Sequence, residues 1–241
     1  MEYNRIDWEV DDLLERPRWG FADIIMVYLA ILGVGLISAF FPVKSGISDV
    51  QYFLFLFGVQ FIATVFFVYL FAVLLRKGKW SDLGVRSASL ADYWHYGIKG
   101  GFLLIIMVLL MGYVVKYFQP ELQMQEIEEM LRSTNRLPDI LAIVFAGTVL
   151  APVSEELFYR GMIYPLFRRH LGPAWGAILA GLIFGLAHWD LWRALPLAIG
   201  GAALCYIYEK SGSILVPMVA HGVWNGSMFA LIYLSLYAGT L

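Results

Sequence analysis

Long apolar runs alternate with short charged links along this chain. Nearly pure apolar runs cover about 22–41, 52–75 and 98–118. A fourth region, about 139–169, is longer and less pure, and three shorter runs follow near 174–189, 194–209 and 214–238. A run of roughly 17–25 apolar residues can cross a bilayer as a helix. Seven spans are therefore predicted, all of them helical, because lipid offers no partner to an open sheet edge. Between them lie a polar N-terminal tail (1–20), a linker at 76–97 with Trp94 as an interface anchor, and an acidic amphipathic stretch at 119–138. No repeat or low-complexity tract divides the chain, so 1–241 reads as a single integral membrane domain.

Composition strengthens this picture. The chain is 60% hydrophobic and 15% charged, with a mean hydropathy of +0.71, where soluble domains carry about 25% charged residues. A net charge of −2 leaves no basic surplus for nucleic acid. The single cysteine, Cys205, permits no internal disulfide and reads as a small core residue. The tail lacks the layout of a signal peptide, so the first span is expected to act as its own insertion signal. Basic residues then set orientation. A cytoplasmic N-terminus puts Arg5, Arg16, Arg18, Arg76, Lys77, Lys79, Arg86, Lys99, Arg160, Arg168, Arg169 and Lys210 on the inner side, against Lys44, Lys116, Arg132, Arg136 and Arg193 outside. That orientation is the expected one.

Some polar residues do not belong in lipid. A charge at the centre of a span costs roughly 2.5–3.5 kcal/mol on insertion scales, so such residues face the bundle interior. In "EELFYR" (155–160), Glu156 and Arg160 are four residues apart on one helix face and can pair, while Glu155 points elsewhere. In "FGLAHWD" (184–190), Phe184 and His188 are four apart; Asp190 and Arg193 beyond them read as paired or solvated charges. In "HGVWN" (221–225), His221 and Asn225 share a face of the last span. Asp23, at a span start, reads as an interface residue. The carboxylates, histidines and amide come from three spans and can converge only in the bundle core.

The set contains a base, two imidazoles and an amide donor, with no convincing nucleophile; Ser154 has no histidine beside it in sequence. It suits direct attack by an activated water, with a carboxylate and a histidine as base and the remaining donors on the oxyanion. A metal is the rival account. Glu155, His188 and His221 form a His₂Glu set, a known catalytic combination for a divalent metal such as zinc, although HExxH is absent. Both routes stay open, with the balance slightly towards a metal-free one.

"EELFYR", "FGLAH" and "HGVWN" fit EExxxR, FxxxH and HxxxN in order, and over about 139–230 the chain resembles the CPBP (Abi) family of CAAX-processing and bacteriocin-processing intramembrane proteases. The resemblance implies an all-α, polytopic membrane helix bundle of seven to eight transmembrane helices with an intramembrane polar cavity, and a catalytic core at 139–230. It implies that Glu155 activates water with His188. His221 and Asn225 would form the oxyanion site or hold a metal, with Glu156 and Arg160 shaping the site behind them. The expected substrate is a membrane-associated peptide tail or a prenylated-protein-like one, in a bacterial-type cell membrane. The alternatives are a non-enzymatic immunity or scaffolding membrane protein and a small proton-coupled transporter. One geometric condition follows. Glu155 and His188 meet only if 139–169 is one long helix, tilted or bent at Pro152, with Glu155 near mid-depth.

Overall fold

The computed structural model describes residues 17–40, 46–122 and 124–238. Residues 1–16, with Arg5 and Arg16, and Lys44 lie outside the described residues, so the charge asymmetry behind the expected orientation falls partly outside them. No strand occurs among the described residues. Among the described residues, six helical segments are long and apolar enough to cross a membrane, and the protein is an integral membrane helix bundle.

The first two helices show how short polar signals start apolar elements. Helix α1 (Phe21–Ala39) begins where the Asp23 carboxylate accepts the Gly20 N–H at 2.8 Å. Asp23 also takes Arg76 Nε at 3.0 Å, from the residue that follows α2. The residue read as an interface group is therefore buried and ties two helix ends together. Helix α2 (Asp49–Leu75) opens on a reciprocal cap, Ser48 Oγ accepting from Gln51 N and Gln51 Oε1 from Ser48 N. Helix α3 (Leu90–Phe118) follows, capped by Ser89, and the acidic stretch contributes only a short α4 (Glu126–Arg132).

The fourth and fifth predicted runs lie end to end in α5 (Leu137–Leu186), which is two helices joined at Gly172, whose φ of 77° and ψ of 170° leave the helical region and break it in two. Pro173 follows the break, and glycine accepts the positive φ without a Cβ clash. At Pro152, the expected bend, backbone dihedrals stay helical. The helix instead widens into a π turn at Ala146–Leu150, and again at Glu156–Ile163 ahead of Pro165. Each π turn absorbs a proline's missing N–H and bulky ring by shifting the ladder by one residue.

Helices α6 (Leu191–Ser211) and α7 (Leu215–Ala238) complete the bundle. Asp190 caps α6, accepting Trp192 N and Arg193 N at 3.0 and 3.1 Å, and pairs with the Arg193 guanidinium. The 173–186 arm of α5 lies flush on α6. A Cβ on Gly181 would stand 2.4 Å from the Ala198 carbonyl oxygen, and one on Gly185 would stand 2.2 Å from that of Ala194. Small residues substitute here for the hydrophobic drive that lipid removes between spans. The core closes around Arg160, Tyr164, Phe184, Leu204 and Tyr208; Cys205 is buried among them, as expected.

Candidate functional site

The site grows from the first π turn. In an i→i+5 ladder the Ala146 carbonyl takes the Ala151 N–H. The next carbonyl, Gly147, would need the N–H of Pro152, which does not exist. Asn225 of α7 fills the gap, its Nδ2 donating to the Gly147 oxygen at 2.8 Å. An unpaired carbonyl in a membrane core is costly, so this bond docks α7 on α5. Four residues before Asn225, His221 is set against the second π turn.

That turn starts with the carboxylates. Glu156 is 0% exposed, and its Oε1 takes Arg160 Nη1 at 2.9 Å and meets His221 Nδ1 at 2.9 Å. Arg160 also donates Nη2 to the Gly201 carbonyl at 2.9 Å and lies 4.8 Å over the Phe184 ring, so the guanidinium joins α5 to α6. Among the described residues, Glu156 Oε2 and Arg160 Nε have no hydrogen-bond partner. Glu155 turns the other way. It is 29% exposed, and its Oε2 lies 3.7 Å from His221 Nε2. His221 thus stands between the two adjacent glutamates, with Trp224 stacked on its ring.

The structure therefore gathers Glu155, Glu156, Arg160 and His221 directly. His188 joins them through Phe184, whose ring is 4.9 Å from that of His188 and 5.8 Å from that of His221. His188 bonds to the Phe184 carbonyl through Nδ1 at 2.8 Å rather than to Glu155. A carbonyl can only accept, so Nδ1 carries the hydrogen and the neutral ring presents Nε2 as acceptor. The same logic holds at His221, where Nδ1 donates to the arginine-paired Glu156.

Glu155 lines a cavity of about 230 Å³ between α1, α2 and α5. Ala187 and Trp189, the neighbours of His188, line it too, so Glu155 and the His188 loop lie beside one space rather than at opposite ends of the bundle. Its wall also takes Tyr28, Gln60 and Thr64 from the first two helices. These were missed from sequence, because a tyrosine, glutamine or threonine in an apolar span carries no charge to mark it. A second cavity of about 500 Å³ shares Tyr28, Ala187 and Trp189 and continues along apolar Ile183, Leu186 and Leu191. Trp189 sits exposed at this junction with a positive φ of 55°. Among the described residues, no three His, Cys, Asp or Glu side chains gather closely enough to hold a metal ion, so Glu155, His188 and His221 do not form a ready ligand set.

Comparison with known proteins falls on this same stretch. Residues 137–227 match the family described as "Type II CAAX prenyl endopeptidase Rce1-like". The match covers all three motifs on which the resemblance to the CPBP family rests. Curated relatives are distant. "UPF0177 protein YaiF" of Lactococcus lactis is 27% identical over 53% of this chain and 60% of its own length. "Putative membrane peptidase YdiL" of Bacillus subtilis is 24% identical over 34% of each chain. An "Uncharacterized 24.3 kDa protein" of Escherichia coli is 30% identical over 38% of this chain and 44% of its own. The chain thus spans from about a third to three fifths of the relatives it matches. No solved structure matches it.

Proposed function

We propose that this chain, whose residues 137–227 are of the Rce1-like type, is an intramembrane endopeptidase that hydrolyses the tail of a membrane-associated peptide. The observation that carries the reading is the position of Glu155, about 100° round the helix from a neutralised Glu156 and open to the cavity, with His221 Nε2 3.7 Å away. Water entering the cavity meets Glu155, which takes one proton as general base. His221 adjoins it as proton partner, aimed by Glu156 as a ligating or catalytic imidazole commonly is by a carboxylate. His188, with Nε2 as acceptor, is the second base beside the same space. Glu156 and Arg160 fix the constellation from behind, and Asn225 holds α7 in register through Gly147.

A divalent metal such as zinc would supply a Lewis acid and a more acidic water, but the donors are not gathered for one, and no step above is routed through it. The second, apolar cavity suits the lipid-like part of a substrate, either a hydrophobic peptide tail or a prenylated-protein-like one. The proposed setting is a bacterial-type cell membrane with a cytoplasmic N-terminus. The test is mass spectrometry of a panel of lipid-embedded C-terminal tail peptides incubated with the reconstituted protein. Cleavage at one defined bond, lost in His221→Ala, supports the reading. An immunity or scaffolding protein leaves every peptide whole.

A further inference from the structure

The proposed hydrolysis needs hydrogen-bond donors on the substrate's carbonyl oxygen, and the cavity wall can add one to those of His221 and Asn225. Asn225 Nδ2 is bonded to Gly147, and His221 Nδ1 to Glu156. Neither residue is part of the cavity wall. Of the polar groups that are, Ser154 Oγ donates to the Leu150 and Ala151 carbonyls, and Thr64 Oγ1 to the Gln60 carbonyl. Beside the exposed Trp189 indole, that leaves Tyr28, Gln60 and Tyr159.

Tyr159 differs from the other two. It is 9% exposed yet lines the cavity, and its hydroxyl makes no hydrogen bond among the described residues. It follows Glu155 by four residues in the sequence, and both line the same cavity together with Tyr28. Its ring is clamped edge-on by Phe158 at 5.3 Å and Phe184 at 5.1 Å. A buried phenol usually finds a partner. A rigid one without a partner, beside the base, has a donor to give to what enters.

We infer that Tyr159 is a further catalytic residue, its phenol donating a hydrogen bond to the oxyanion that forms when water adds to the scissile carbonyl. The inference rests on the peptidase reading. Glu155 removes a proton from water as the water oxygen bonds to the carbonyl carbon, and the π pair moves onto the carbonyl oxygen. The Tyr159 O–H stabilises that oxygen without transferring its proton. The C–N bond then breaks as the oxyanion re-forms C=O, and the proton held by Glu155 passes to the leaving nitrogen. A donor fixed before the reaction spends nothing on reorganisation, and losing one typically lowers kcat by about 10²–10³-fold.

The experiment compares wild type, Tyr159→Phe and Glu155→Gln as full chains in liposomes on a tail peptide that wild type cleaves. Phe keeps the ring between Phe158 and Phe184. Expected is a fall in kcat of about 10²–10³-fold in Tyr159→Phe with KM within about threefold. A tetrahedral phosphonate analogue of that peptide should lose affinity in parallel, while the cleaved product binds unchanged. A wild-type kcat in Tyr159→Phe, or a raised KM alone, overturns the role of Tyr159 while leaving the peptidase reading intact if Glu155→Gln is inactive. A wild-type rate in Glu155→Gln, or no cleavage by wild type, overturns both. Fluorinated tyrosine at 159 keeps the packing nearly unchanged, so it covers the case of a misfolded Phe variant. There kcat should follow the acidity of the phenol, and an indifferent kcat overturns the inference.

Discussion

Glu156 Oε1 and His221 Nδ1 stand 2.9 Å apart although 65 positions separate the two residues, and this bond turns two isolated motifs into one site. The same oxygen holds Arg160, so one carboxylate orients a histidine and neutralises an arginine. Breaking a buried pair by removing one partner strands the other charge, at about 3–5 kcal/mol. Arg160→Ala and Glu156→Ala should each lose that much in unfolding free energy, measured by denaturant titration in mild detergent. Arg160→Lys should lose stability too, because a single ammonium cannot reach both Glu156 and the Gly201 carbonyl as the guanidinium fork does.

The flush contact between the 173–186 arm and α6 holds Gly201 where Arg160 can reach it. Gly185→Ala places a methyl 2.2 Å from the Ala194 carbonyl oxygen, so the helices must part. A loss of about 1–3 kcal/mol is expected, the range of overpacked cores, again by denaturant titration. Gly112→Ala, with nothing within 4 Å of the added carbon, is the matched control and should be near neutral.

Trp189 stands exposed where the two cavities join, in a backbone conformation that a bulky residue rarely adopts. If it meets the apolar part of the substrate, Trp189→Ala raises KM several-fold on a hydrophobic tail peptide and leaves kcat within about twofold. Steady-state kinetics across tails of graded hydrophobicity reads this directly, and the KM difference should shrink as the tail becomes polar.

Water activation by the chain's own residues predicts that cleavage survives thorough chelation, with kcat unchanged and no stoichiometric metal by elemental analysis of active protein. Loss of activity on chelation, restored by zinc, would return Glu155, His188 and His221 to the ligand role that their spacing in sequence allows.

How far the sequence reaches is clearest residue by residue. The Glu156–Arg160 pair is legible because four residues fix their angle on one helix. The pairing of Asp190 with Arg193 and the burial of Cys205 follow equally local signals. The span map is right in outline, and the separation of 139–169 from 174–189 is legible because Gly172, at a positive φ, and Pro173 break the helix between them. Pro152 looks like a kink. The π turn before it is invisible in a residue pattern, since it depends on Asn225 arriving from 78 positions away to satisfy Gly147. Beside His188, expected to activate water with Glu155, the fold brings His221 to 3.7 Å from Glu155, a matter of how α7 crosses α5 that spacing along the chain does not encode. Tyr28, Gln60 and Thr64 gave no signal because neutral polar residues in spans are common.

The most direct test concerns Glu155 alone. Glu155→Gln is nearly isosteric, keeps the Glu156–Arg160–His221 network and removes only the base. Measured by single-turnover cleavage of a lipid-embedded tail peptide, it should fall to background while its unfolding midpoint stays that of wild type. A correctly folded Glu155→Gln that cleaves at the wild-type rate would contradict the account at its centre.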